Sequence, residues 1–599
     1  MEGLYSGHLL SGFILHINQN TNPVKIFYMQ KIKSFLLVFL LLAGGLSCKK
    51  SFLDETPLDT LSSSNAFQTA SDFTASVNNL YRLVRAELYT LNDNAPMEYQ
   101  YRTDIAFYVP AAFPANLDGE INPNSGIMSS HWTALYKIVA EANTVINRIP
   151  ASQLSETDQM LFEARGRFFR AFAYRCLAYL WGGVPLETAE VTEPKIDYVR
   201  ATRKEVYAQV IDDLTFAVAN LPGITDVKDG EISNLAAQHL LAEVYIADGQ
   251  FQNAVTAASA VIDDPATDLM TSRFGTRKTV TPGDVYWDLF RRGNQNRKTA
   301  GNTEAIWVIQ IETDIPGGAA ITTTSFASGD GFSLERVHAP LVRDVTVNNV
   351  ATFSWPASDY SSGGRGVGFW APSLYFIDSV YSKDPVNDIR NANHNFVRKF
   401  KVTNPASPLY NTDIDFANLP AGTKGTSGAV LTSGVPSRAL YPYQTKCTDP
   451  GNHPANLYAV PASYPNALKG GAGFTYQDQY MFRLAETYLL RAEAYLGAGN
   501  AAAAADDINV VRARSIAAPV SAGDVNIDYI LDERIRELGV EEKRMFTLMR
   551  LEKWYDRVIK CNPFYASAAQ TKFNFWPIPQ SEIERNRGAK LEQNPGYPQ

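Results

Sequence analysis

Two stretches of this chain, 250 residues apart, spell the same pattern, and that repeat restricts the fold more than any other feature. LLAEVYIADGQFQNA from Leu240 faces LRAEAYLGAGNAAAA from Leu490, with identities at Leu240/Leu490, Ala242/Ala492, Glu243/Glu493, Tyr245/Tyr495, Gly249/Gly499 and Ala254/Ala504. The small residues let two antiparallel helices approach, the tyrosine fills the space between them, and the glycine ends the first helix in a left-handed conformation that other residues resist. A chain of 599 residues carrying such units has room for a large buried core.

This is the logic of a tetratricopeptide helix pair, and the long gap between copies predicts units dispersed through one fold instead of a simple 34-residue array. Helical spacing of apolar residues recurs over 129–150 and 156–181, the latter ended by Gly182, Gly183 and Pro185. It recurs again near 202–221, 233–247, 250–263, 478–497, 501–515, 527–539 and 542–559. From about 264 to 475 the chain turns rich in Gly, Ser, Thr, Asn, Asp and Pro, with short strand-like pieces such as AIWVIQI from Ala305. The expected fold is mainly α: a helical frame over about 65–263 and 476–560, with a loop-rich irregular lobe over about 264–475.

The first residues read as an address. From Met29, MQKIKSFLLVFLLLAGGLSCKK places Lys31 and Lys33 before an apolar run that leads through small residues to Cys48. That run is too short to span a bilayer and has the layout of a bacterial secretory signal. Residues 1–28 fit no part of it and are expected to be an upstream extension, with 29–47 the signal and 48–599 one domain. The placement of Cys48 resembles a lipobox, so Cys48 is the expected lipidation site, although Gly45 stands where a large aliphatic residue is usual. Several acyl chains on one cysteine suffice for stable anchoring.

Composition removes several functions. With 54 Lys+Arg against 62 Asp+Glu and a net charge of -8, the chain lacks the concentrated cation that nucleic acid requires. The four cysteines show no metal spacing, and the sequence leaves open whether Cys447 and Cys561 pair. No serine-nucleophile elbow, paired-histidine zinc helix or phosphate-cradling loop occurs, and GGRGVG from Gly363 lacks dinucleotide spacing and is expected to be a flexible loop. No cofactor is expected; residues 116–124 around Asp118 offer oxygen ligands without calcium-loop spacing, which leaves a structural calcium ion as a minor alternative.

Aromatic residues make up 12% of the chain, and two loop clusters combine them with planar polar groups, as sugar recognition requires. One runs from Asn92 to Tyr108, with Asp93, Tyr99, Tyr101, Arg102, Asp104 and Tyr108; the other spans Trp355 to Trp370, with Tyr360, Arg365 and Phe369. Trp132 and Trp287 are assigned to the core, and Arg544, Arg550, Glu537 and Glu541 to ion pairs that hold helices in register.

A series of motifs runs in order along the chain: SFLDETP after Cys48, HWTALYKIVAEANTVINRI, ARGRFFRAFAYRCLAYLWGGVPL, DVYWDLFRRGNQ with GNTEAIWVIQ, NDIRNANHNFVRKF, RLAETYLLRAEAYL with INVVRARS, LDERIRELGVEEKRMFTLMR, and FWPIPQSEIERN with LEQNPGY. In this the chain resembles the SusD/RagB family of Bacteroidetes surface lipoproteins, departing at Thr547, where that family often has Asp. The resemblance implies a non-enzymatic, lipid-anchored outer-membrane protein facing the cell exterior. It would bind oligosaccharide or other nutrient oligomers and deliver them to a SusC-like TonB-dependent transporter. A surface glycoside hydrolase and a tetratricopeptide-type protein-binding adaptor are the alternatives, since the separation of paired carboxylates is invisible in sequence.

Overall fold

The structure is a computed structural model that describes residues 67–89, 95–111, 115–312, 334–355, 359–382, 387–458, 468 and 475–598. The expected extension, signal and lipidation site at Cys48 lie outside the described residues, as does Asp93.

Eight helices stack one on the next in chain order: α1 (Ala70–Tyr89), α2 (Gly126–Arg148), α3 (Glu156–Trp181), α4 (Arg203–Asn220), α5 (Asn234–Ala247), α6 (Phe251–Ile262), α7 (Leu484–Gly497) and α8 (Ala501–Arg514). Local chemistry starts several of them. Ser155 accepts from the backbone of Asp158, and Thr202 forms a reciprocal capping box with Glu205. Gly182 ends α3 at φ +74°.

The two repeat copies are α5–α6 and α7–α8. Although more than two hundred residues separate them in sequence, α6 packs directly against α7, so the stack continues across the insertion. The copies match in detail. Gly249 and Gly499 take φ +74° and +82°, and the Gln250 and Asn500 amides each donate over 2.8 Å to the carbonyl of Tyr245 and Tyr495. Glu243 and Glu493 each take a buried arginine, Arg175 at 2.8 Å and Arg550 at 2.6 Å.

Two strands form the neck through which the insertion leaves and returns. β2 (Ala305–Ile309) precedes it, and β4 (Gln479–Arg483), immediately before α7, pairs with β2 antiparallel. Helical spacing over 478–497 is therefore corrected at its start: Tyr480 and Phe482 alternate inward from a strand, and the helix begins only at Leu484. Between the strands the chain runs through turns, 3-10 segments and short ladders, the lobe expected from composition.

Three helices follow: α9 (Ile527–Glu537), α10 (Arg544–Arg550) and α11 (Trp554–Cys561). The single helix expected over 542–559 is broken, because Glu552 adopts φ +53° and the Lys553 amide closes back on the Leu548 carbonyl at 2.8 Å. The charged residues of this region hold buried ion pairs. Glu537 accepts from Arg390, Arg483 and Arg514, and Thr547 donates to Glu542 at 2.7 Å. Trp132 packs edge-on against Trp181, and Trp287 lies buried under Arg291, as expected of core residues. Cys176, Cys447 and Cys561 are separate buried thiols. No described helix is long and apolar enough to cross a membrane.

Candidate functional site

The two aromatic loop clusters meet. β1 (Ala106–Tyr108) pairs antiparallel with β3 (Trp370–Pro372), setting Tyr108 opposite Trp370 and Phe107 opposite Ala371. The ladder is extended by the Val109 amide donating to the Phe369 carbonyl at 3.0 Å and by the Ser373 amide donating to the Ile105 carbonyl at 2.8 Å. Because side chains alternate along a strand, Phe107 turns inward and stacks on Phe564 at 3.8 Å, while Tyr108 turns outward. Tyr108 lies half-buried and nearly parallel to half-buried Phe369, with ring centres 6.1 Å apart and planes at 18°.

Arginines frame this pair. The guanidinium of Arg438 lies 5.0 Å from the centre of the Phe369 ring and that of Arg336 lies 5.8 Å from it. Half-buried Trp355 carries Arg365 at 4.8 Å and Arg343 at 5.1 Å. Backbone hydrogen bonds set their spacing: the Val367 amide to the Arg336 carbonyl, Gly368 to Ala339, Phe369 to Val337, and Leu341 to Arg438, over 2.9–3.1 Å. Half-buried Tyr360 sits at the edge, its hydroxyl accepting from Asn393 at 3.4 Å.

The Gly363–Gly368 segment, expected to be a flexible loop, is instead wedged. A Cβ on Gly366 would lie 2.5 Å from two backbone carbonyls, and one on Gly364, at φ +62°, would lie 2.4 Å from the Glu335 carboxylate. Glu335 holds the segment from beneath, accepting the Arg365 amide at 2.7 Å and the Tyr476 hydroxyl at 3.0 Å, with His453 Nε2 at 3.1 Å.

Five of the expected ligand residues lie beneath the surface and serve packing. Tyr99 is fully buried; its hydroxyl donates to Glu87 and lies 3.0 Å from His131 Nδ1. Tyr101 is buried against Tyr108. Arg102 is ion-paired with Glu98 and, at 2.7 Å, with Glu120. Asp104 is fully buried between Arg544 and Arg557. Trp370, 1% exposed, packs against His338 and offers no face to a ligand. The physical reason is the same for each: an aromatic or charged residue in a loop-rich segment is read from sequence as exposed, whereas here the segment threads between the lobe and the C-terminal helices.

Of the predicted residues, Tyr108, Trp355, Tyr360 and Phe369 therefore form the accessible shelf. Sequence reasoning missed Arg336, Arg343 and Arg438, which lie outside both clusters and are brought in only by the backbone ladder. Asp118 accepts from Lys572 at 2.5 Å and Gln570 at 2.8 Å, and no group of three His, Cys, Asp or Glu suited to a metal occurs among the described residues. Two open clefts of about 870 and 540 Å³ lie elsewhere, beside α7–α8 and beside α1, and each is lined by a single aromatic ring, Tyr488 and Tyr81.

Comparison with known proteins agrees with this architecture. Residues 361–597 match the profile of the SusD family, and residues 51–246 match a profile described as starch-binding, associating with outer membrane. The chain belongs to the SusD/RagB family. Among its SusD-like relatives, SusD-like protein P2 of Formosa agariphila is 26% identical over 592 residues, covering 95% of this chain and all of the relative. The starch-binding protein SusD of Bacteroides thetaiotaomicron is 33% identical over 124 residues, 20% of this chain and 22% of its own. A solved laminarin-binding SusD-like protein superposes with a TM-score of 0.62 at 23% identity, covering 89% of this chain and all of that one. The surface glycan-binding protein A of Bacteroides uniformis gives 0.60 at 18% identity, covering 88% and 99%. The SusD-like solved structures share the fold of tetratricopeptide-like helix pairs with this chain.

Proposed function

We propose that this SusD-family protein captures glycan oligomers on the Tyr108–Phe369–Trp355 shelf and hands them, unaltered, to a SusC-like TonB-dependent transporter. In this reading Cys48 carries the lipid that tethers it to the outer membrane, facing the exterior. The observation that carries the reading is the β1–β3 ladder, which joins two sequence-distant aromatic loops into one half-exposed pair of nearly parallel rings. Such rings cover the apolar face of a pyranose, and the surrounding guanidiniums and amides meet its hydroxyls. The names of relatives that bind starch, laminarin or surface glycans support the ligand class. Capture without cleavage is supported by the way acids near the shelf are engaged: Glu335 by three partners, Asp344 by Arg343 at 3.1 Å, and Asp359 by the Ser361 amide and hydroxyl.

The test is a glycan panel run by affinity electrophoresis on the protein from residue 49 onward, with product analysis. Retention without shortening of the glycan, lost in the Tyr108→Ala/Phe369→Ala double variant, is the expected result. Retention that survives the double substitution removes the shelf, shortened chains indicate a hydrolase, and absence of retention overturns glycan binding.

A further inference from the structure

We infer that the shelf selects anionic oligosaccharides, those bearing uronate carboxylates or sulfate esters, over neutral ones; this rests on the glycan-binding reading above. The observation is a concentration of cation where the whole chain is acidic. Arg336, Arg343, Arg365 and Arg438 all stand over the two rings that a ligand would cover, within a protein whose net charge is -8. They arrive from three separate segments, locked together by the ladder around residues 336–341, 365–369 and 438.

The acids nearby do not cancel them from above. Glu335 is 1% exposed and turned inward to His453, Tyr476 and the Arg365 amide. Asp359 caps its own turn. Asp344 pairs with Arg343, whose side chain is 55% exposed, so solvent weakens that contact. Arg438 donates its Nε to the Val367 carbonyl at 3.0 Å and pairs with no carboxylate among the described residues.

Energetics then separate the ligand classes. A sugar that stacks on Phe369 and Trp355 strips water from guanidiniums lying over the same rings. A neutral sugar returns only neutral hydrogen bonds, whereas a carboxylate or sulfate returns charge-assisted and, with arginine, bidentate ones. The rings take the apolar face of the sugar and the arginine forks take its anion.

Isothermal titration with polygalacturonate oligomers, a sulfated galactan oligomer and neutral laminarin oligomers decides the matter. At least one anionic oligomer is expected to bind about tenfold tighter than laminarin at 50 mM NaCl, with the advantage shrinking several-fold at 500 mM as charge is screened. Arg438→Gln and the surface variant Arg343→Gln should each weaken the anionic ligand about three- to tenfold and leave laminarin affinity within twofold, while Arg438→Lys restores part of the loss. The two anionic arms tell carboxylate from sulfate recognition. Equal or tighter laminarin binding overturns this inference while leaving glycan capture standing. An anionic preference indifferent to both arginine substitutions and to salt also overturns it. Failure of all three ligands overturns the glycan reading itself.

Discussion

Replacing Asp104 by Asn tests how the shelf is tied to the C-terminal helices. The carboxylate, fully buried two residues before β1, accepts from Arg544 Nε at 2.9 Å and Nη2 at 2.8 Å and from Arg557 Nε at 2.9 Å. Burial alone would raise its pKa, but the two guanidiniums reverse that and hold it down from the usual 3.8 to about 2. The unfolded chain therefore binds more protons between about pH 2 and 4, so the stabilisation is present above that window and lost as pH falls through it. A shift of that size corresponds to about 2–3 kcal/mol. Removing one partner of a buried pair costs about 3–5 kcal/mol, and the lower end applies here. Arg544 keeps Glu542 at 2.9 Å, and Arg557 keeps Asp532 at 2.6 Å. Urea unfolding followed by circular dichroism should show Asp104→Asn less stable by about 3 kcal/mol at pH 7, the gap narrowing by about 1 kcal/mol at pH 3. A deficit below about 1 kcal/mol at pH 7, or one that ignores pH, would refute the reasoning.

His239 is buried against Phe482, with Nδ1 2.9 Å from the Thr487 hydroxyl, and burial pushes its pKa down from 6.5 to about 3. The unfolded state thus binds the extra proton between those values, and about 2 kcal/mol of stability should disappear by pH 5, whereas His239→Gln should flatten the decline between pH 7 and 5; equal slopes for the two proteins contradict this. The glycines at the ends of the repeat separate two kinds of cost. Gly499→Ala, at φ +82° with nothing within 4 Å of the new Cβ, should lose about 1–2 kcal/mol from backbone strain alone. Gly497→Ala would drive a Cβ to 2.4 Å from the Phe251 ring, so it should lose about 1–3 kcal/mol. In a Phe251→Ala background the same change should instead stabilise by about 0.5–1 kcal/mol through helix propensity. Thermal melts that place Gly497→Ala on the same side in both backgrounds would disprove the contact.

The helical frame was legible because periodicity and caps are local. Glu156–Trp181 and Arg203–Asn220 follow their apolar spacing, capping residues and terminating glycines closely. Two local readings gave way to tertiary pairing or backbone geometry. Residues 479–483 become a strand because β2 waits for them, and Glu552 takes a left-handed turn that no propensity reveals. The shelf was half legible. Its aromatic loops stand out by composition, but which rings face outward depends on the β1–β3 register, and a one-residue difference separates buried Trp370 from half-exposed Phe369. Its arginines were hidden, since nothing in the sequence near Arg336 or Arg438 announces that their carbonyls will pair with Val367 and Leu341.

The neck formed by β2 and β4 has a consequence for how such a protein can change. Departure and return lie side by side, so the chain length spent between Gln310 and Asp478 does not alter the distance between α6 and α7, which touch regardless. New loops can be spliced in, lengthened or exchanged at that doorway without re-spacing a single helix. A lineage could thus retune what it grips, one saccharide after another, on a holder that never has to be redesigned.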